Sequence, residues 1–401
     1  MLDIFRSLIR TFAENKEMGM NLKEKTIYLL LVGALGMAPT TMFAQTNVVE
    51  KVFTRQRTKT LKDGSQYKGD MMLMRPHGRG KLTYTDGSVY QGWFEHGRRH
   101  GQGTMTYTNG EKYEGAWQKD QRNGRGTYHY IDGNRFEGDY VMDEVQGFGV
   151  MYYMNGDTYT GLWEKGLRQG TGVYIWGSDG SNYSGEWHGD HKQGRGRMFW
   201  QDGASYDGHW KDDVRDGGGT FYYANGDEYT GQWHNNVQHG KGEYRFADGD
   251  VYVGEYVGGV RSGYGTYTRE DGSVYTGEYQ NGEIEGHGRY EMPNGEVYEG
   301  EWMQNKRHGQ GVCHWPNGDV YEGEWVEDLP HGKGRMTLAD GTVYEGEYKD
   351  GLKDGYGKLI QPNGTYMEGT FTEDLCNGPF KEYDAHGKYV KTISYVNGMK
   401  R

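Results

Sequence analysis

Residues 103–117 read Gly103-Thr-Met-Thr-Tyr-Thr-Asn-Gly-Glu-Lys-Tyr-Glu-Gly-Ala-Trp117. Two short runs of alternating large and small or polar residues flank Asn109-Gly110, a dipeptide that favours tight turns between antiparallel strands. The stretch therefore reads as a β-hairpin, with Tyr113, Gly115 and Trp117 on one face because side chains alternate along a strand.

The hairpin repeats. Taking as anchor an aromatic residue followed two places later by Gly, the anchors are Tyr67, Tyr90, Tyr113, Phe136, Tyr159, Tyr183, Tyr206, Tyr229, Tyr252, Tyr275, Tyr298, Tyr321 and Tyr344. Each lies 23 residues after the last except Tyr183, which lies 24 after Tyr159 through an insertion near Gly177-Ser178. A degenerate fourteenth unit starts at Met367. Counting from the anchor as position 1, Gly fills positions 3 and 12 and the closing position in every unit, and position 14 in all but the last, where Phe380 stands. These four columns hold 55 of the 69 glycines, so the glycine serves geometry and not flexibility. Asp or Asn precedes the closing Gly in 13 units, with His386 the exception.

The expected architecture is all-β: an elongated, single-layer, twisted antiparallel ribbon of about 14 hairpins. At a strand spacing of ~4.8 Å it would be roughly 130 Å long. The Asp-Gly and Asn-Gly pairs are expected to make type I′ turns, with a longer Gly-containing loop at the other end of each hairpin. Positions 1, 3 and 5 share a face with position 16, which carries residues such as Met105, Tyr128 and Phe221. Tyr and Trp packed over Gly would then replace an aliphatic core. Four segments follow: an N-terminal extension and signal peptide over 1–44, a basic linker or cap over 45–66, repeats over 67–366, and a degenerate repeat with C-terminal cap over 367–401.

Tyr-x-Gly-x-Trp, then Gly-x-Gly, then Asp/Asn-Gly at a 23-residue period resembles the MORN repeat family, and the chain is similar to exported bacterial members of it. The resemblance implies a β-hairpin ribbon engaged in scaffolding, protein binding, self-association or contact with membrane phospholipid. Some relatives carry a lipid kinase or SET-type methyltransferase domain after the repeats, for which the repeats here leave no room. Asn377-Gly-Pro-Phe-Lys-Glu-Tyr in the last unit looks more like the Gly/aromatic repeats of bacterial antitoxin-like and surface proteins.

Composition bounds the function. The chain of 401 residues carries 45 Lys and Arg against 57 Asp and Glu, a net charge of −12. Nucleic acid is therefore not an expected partner, and anionic lipid is opposed by the bulk charge. Lys23 and Lys25, the apolar stretch Ile27–Ala38 and small Ala44 follow the pattern of a secretory signal cut after Ala44, with the start codon at Met18 or Met20. The expected destination is the periplasm, the cell surface or the medium; an uncleaved anchor is the alternative, for which the apolar run is short.

Chemistry-bearing residues are scattered across repeat columns. His77, His100, His239, His308 and His331 share position 11, but successive units lie ~9.6 Å apart, too far for shared zinc ligation. Cys313 and Cys376 fall nearly three units apart and are expected to remain unpaired within the chain. No unit gathers a nucleophile, base and acid, and no Gly-x-Gly is followed by a phosphate-binding helix. Neither enzyme activity nor a cofactor or metal is expected.

Three candidate surfaces remain. The aromatic face comprises Tyr113, Trp117, Tyr159, Trp163, Tyr183, Trp187, Tyr206, Trp210, Tyr229, Trp233, Tyr298, Trp302, Tyr321 and Trp325; if exposed, it suits protein binding, self-association or stacking of glycan rings. An acidic face of Glu299, Glu301, Glu322, Glu324, Glu345 and Glu347 suits a basic partner or weak Ca²⁺ capture, unless Arg289, Lys333, Arg335 and Lys358 neutralise it across the strands. A basic patch of Lys51, Arg55, Arg57, Lys59 and Lys62 suits lipid. The leading expectation is a non-catalytic scaffold or protein-interaction module, with lipid and then glycan binding as alternatives.

Overall fold

A computed structural model describes residues 56–401. The expected signal segment, Lys51 and Arg55 lie outside the described residues. The rest is all-β, one open antiparallel sheet of 32 strands in which each strand pairs with its neighbours in sequence, except that Leu375–Cys376 and Gly378–Tyr383 both pair with Tyr366–Thr372. The order follows from the short connections, which leave a strand nothing to pair with but the one before and the one after.

Each of the first thirteen units contributes a seven-residue strand, such as Lys112–Gln118, and a nine-residue strand, such as Gln121–His129; in the last the second strand is split into Leu375–Cys376 and Gly378–Tyr383. The anchor faces position 16 on both sides: Tyr113 pairs with Tyr128 within its unit and with Met105 of the unit before. The expected sharing of a face holds.

The turns correct the expectation. The tight two-residue turns sit at positions 7 and 8, where both residues take positive φ: Leu73 and Met74 at 47° and 63°, Glu327 and Asp328 at 47° and 70°. The Asp/Asn-Gly pairs instead lie in three-residue loops. In the first, Gly87 N–H donates to Tyr84 O at 3.0 Å and Tyr84 N–H to Ser88 O at 2.8 Å, and only Gly87 has positive φ. This is a type I turn closed by a left-handed glycine. The Asp or Asn is there for its side chain: Asp86 Oδ1 accepts Ser88 N–H at 2.8 Å. The residue inserted near Gly177 is absorbed in this same kind of loop, with Trp176 N–H reaching Ser181 O at 2.9 Å.

The position-12 glycines are not in loops either. Gly69 pairs with Gly80 but Met71 with Pro76, so the longer strand carries two extra residues, and left-handed Gly78 accommodates the bulge. Glycines at positions 3 and 14 have another cause. A Cβ on Gly126 would collide with the ring and hydroxyl of Tyr113, which lies over the Gly115–Gly126 pair.

The core is a zipper of rings. Tyr113 meets Trp117 of its own unit at 5.2 Å and Tyr140 of the next at 5.2 Å, both edge to face. The pattern runs from Tyr67 and Phe94 to Phe380 and Tyr395, and edge-to-face contacts each contribute ~0.5–1.5 kcal/mol beyond burial.

Candidate interaction surfaces

The aromatic rows are core and not surface. Tyr113, Tyr159, Tyr183, Tyr206, Tyr229 and Tyr321 are 0% exposed, and Trp117 and Trp325 only 3% and 1%. Trp163, Trp187, Trp210, Trp233, Tyr298 and Trp302 are likewise buried. Their polar atoms turn inward too: Tyr113 donates its hydroxyl to Ala116 O at 3.0 Å, and Trp117 Nε1–H donates to Gly103 O at 3.1 Å. The stacking platform that the glycan reading needs is therefore absent from these rows. Alternation assigns a side chain to a face, but coverage by the next unit decides whether it meets water.

Arginines complete that coverage. The guanidinium of Arg215 lies 4.4 Å from the Trp233 ring centre, and its Nη2 donates to Asn236 O at 2.8 Å. Arg99 does the same over Trp117 with Asp120, and Arg168 over Trp187 with Asp190. These clasps run from position 10 of one unit to positions 5 and 8 of the next. Burial holds the Arg215 pKa below its ordinary value. Sequence reading missed them because their partners are 18 to 22 residues away.

The outward face carries the acidic rows, already committed within the sheet. Glu299 pairs with Arg289 at 3.3 Å, Glu345 pairs with Arg335, and Glu322 stands opposite Arg335 in the register. Glu324 and Glu347 fold over the bulges, accepting Lys333 N–H and Tyr356 N–H at 3.3 Å, and Glu301 bends toward bulge residue Gly309. Two of the six are thus ion-paired and three are employed in capping bulges. Of the basic patch, Lys59 Nζ donates to Met74 O at 2.9 Å, Arg57 approaches Met74 Sδ, and Lys62 is exposed in the next loop.

One outward feature was not anticipated. Phe148 faces Leu162 across neighbouring strands, Val150 and Val173 flank Thr160, and Tyr152 and Ile175 flank Thr158. Leu162 and Ile175 are 42% and 43% exposed. The outer face here carries six apolar or aromatic side chains around Thr158 and Thr160, an apolar patch on the uncovered side of a single-layer sheet.

Elsewhere the titratable groups serve structure. Cys313 and Cys376 are unpaired, and burial together with Glu296 pushes the Cys313 thiol up to about 12. The anchor tyrosines are raised above their ordinary range by burial, Tyr206 and Tyr252 to about 12.

The MORN repeat model matches thirteen times in succession, from residues 67–89 through 344–366. No match is found among curated proteins. Among solved structures, the chain is similar to the SAS-4 (dCPAP) TCP domain of Drosophila melanogaster, solved in complex with a proline-rich motif of Ana2 (dSTIL). That likeness has 13% identity, 61% and 99% coverage of the two chains and a TM-score of 0.23. The wild-type TCP10 domain of Danio rerio CPAP, solved with a peptide of Danio rerio STIL, gives 10% identity, 79% and 98% coverage and a TM-score of 0.16. A streptogramin B lyase gives 13%, 80% and 95%, and 0.13.

Proposed function

The chain belongs to the MORN repeat family, and from that premise we propose that it acts as an exported, non-catalytic scaffold that docks another protein on its outward face. The apolar strip between Phe148 and Ile175 carries this reading. A contiguous apolar patch within a polar surface favours a protein partner, and none of its six side chains is charged, which disfavours capture of anionic lipid. The buried ring rows form the inner side of the sheet whose outer side carries the strip.

The test uses the protein as bait on extracts of the native cell envelope, with Leu162→Glu and Val173→Glu as paired controls. Both side chains point outward, so the fold should be retained within ~0.5 kcal/mol. Capture of a defined partner that both charges abolish supports the reading. Capture indifferent to both, or binding only to anionic vesicles, defeats it. Export is checked separately by sequencing the N-terminus of the mature protein, expected at Gln45.

A further inference from the structure

The clasp pairs follow a rule within the chain. Where position 10 is Arg or Lys, position 8 of the next unit is Asp or Asn, as in Arg99 with Asp120 or Arg215 with Asn236. Where position 10 is uncharged, position 8 of the next unit is Gly, as in Val145 with Gly166 or Pro330 with Gly351. Eleven of the thirteen pairs obey. The two exceptions are adjacent: Arg261 has Gly282, and Ile284 has Asn305.

At Ile284 the acceptor is present without its arginine. Ile284 N–H donates to Asn305 Oδ1 at 2.8 Å, as Arg215 N–H does to Asn236 Oδ1 at 2.8 Å. Arg215 then extends over Tyr206, Phe221 and Trp233. The counterparts of those rings, Tyr275, Tyr290 and Trp302, line a hollow of about 520 Å³ together with Asn305. The Ile284 side chain reaches no further than an arginine stem. Among the described residues no cation stacks on Trp302, whereas Trp117, Trp187, Trp210, Trp233 and Trp325 each carry one within 4.5 Å.

The neighbouring cations do not close the hollow. Arg261 lies over Tyr279 at 5.5 Å, and Arg307 over Trp325, where Asp328 and Glu296 also hold it. Arg168, Lys192 and Arg215 stand in successive units, so the row tolerates a further cation between two others. Asp250, Glu296 and Asp328 line the hollow with Arg261, Arg269 and Arg307, so its carboxylates balance its cations, Glu296 and Asp328 being paired with Arg307.

The geometry points to a receptor for the guanidinium of an arginine on a protein partner, stacked on Trp302 and donating to the carbonyl oxygen of Asn305. This rests on the protein-docking reading above and names a chemistry the partner must present. The other units are its template, since each filled clasp shows what the empty one accepts.

The purified protein is titrated with short glycine peptides carrying one arginine, or citrulline in its place, and binding is followed by ligand-observed NMR. The arginine peptide should bind, and the isosteric but uncharged citrulline peptide should bind at least about tenfold more weakly. Ile284→Arg fills the hollow from within and should abolish binding while raising Tm. Asn305→Gly removes only side-chain support and should weaken binding about tenfold. Equal binding of citrulline, binding that survives Ile284→Arg, or no binding of the arginine peptide overturns the assignment. Partner capture that still depends on Leu162 in any of those cases leaves the scaffold reading standing.

Discussion

Phe380 covers the bare backbone of Gly369 from the opposite strand, in the place that the anchor ring of the same strand occupies in every earlier unit. The ring has crossed from position 1 to position 14, and Met367 has taken the vacated anchor position. Phe380 is 0% exposed and meets Phe371 edge to face at 5.1 Å, so the zipper continues into the last unit through the exchange.

Restoring the repeat pattern at one of these positions should therefore do harm. Phe380→Gly is expected to cost the last unit ~3 kcal/mol by leaving a ring-sized void. The double variant Met367→Tyr with Phe380→Gly should recover most of the loss. Hydrogen exchange across residues 366–396 measures both; additive losses in the double variant would refute the exchange.

The hydroxyls of chemically identical residues should have opposite effects. Tyr113 donates to Ala116 O, whereas the buried Tyr140 hydroxyl has no hydrogen-bond partner. Tyr113→Phe is expected to cost ~1 kcal/mol and Tyr140→Phe to be neutral or stabilising by a similar amount. Denaturant melts of the two variants decide it, and equal losses would contradict the assignment.

Loss of a clasp should loosen one junction and spare the others. Arg215→Ala is expected to cost ~1–2 kcal/mol through the stacked guanidinium and its bond to Asn236 O. Arg215→Lys should cost less, since Lys192 fills the same role 4.5 Å from Trp210. Exchange rates should rise at the strands on either side of Arg215 and stay unchanged near Tyr321.

Alkali should unfold the ribbon steeply. Burial raises the anchor tyrosines above their unfolded pKa near ~10, so the folded state disfavours phenolate. Their stabilising contribution is complete below pH ~10 and is lost as pH rises through the folded values, because the unfolded chain releases its protons first. Phenolate absorbance followed alongside circular dichroism should show the buried class titrating only as the sheet melts. Smooth titration with the sheet intact would contradict this.

The fold was legible in the sequence to the level of columns. Period, strand order and shared faces follow from Tyr, Gly and Trp at fixed spacing. The tight turns were assigned to the wrong ends because Asp-Gly before each anchor is the stronger local signal, although position 8 is also Gly, Asp or Asn from Gly97 to Asp374; only Leu73-Met74 lacks any local preference for positive φ and is held there by sheet register. The interaction surfaces were the least legible part. Coverage of the rings comes from neighbouring units, as when Arg215 of the unit before lies over Trp233, and the strip at Phe148 depends on three strands lying side by side.

Strictly sequential pairing also sets how the molecule bears load. Tension between its ends would pull each strand away from its neighbour like an opening zip, so ladder bonds part singly and not in parallel shear. One released hairpin would lengthen the chain by roughly 70 Å, its extended length less the ~9.6 Å it spans when folded, while its neighbours remain closed. A ribbon built this way behaves as a reel, yielding length under modest force and rewinding unit by unit when the force is removed.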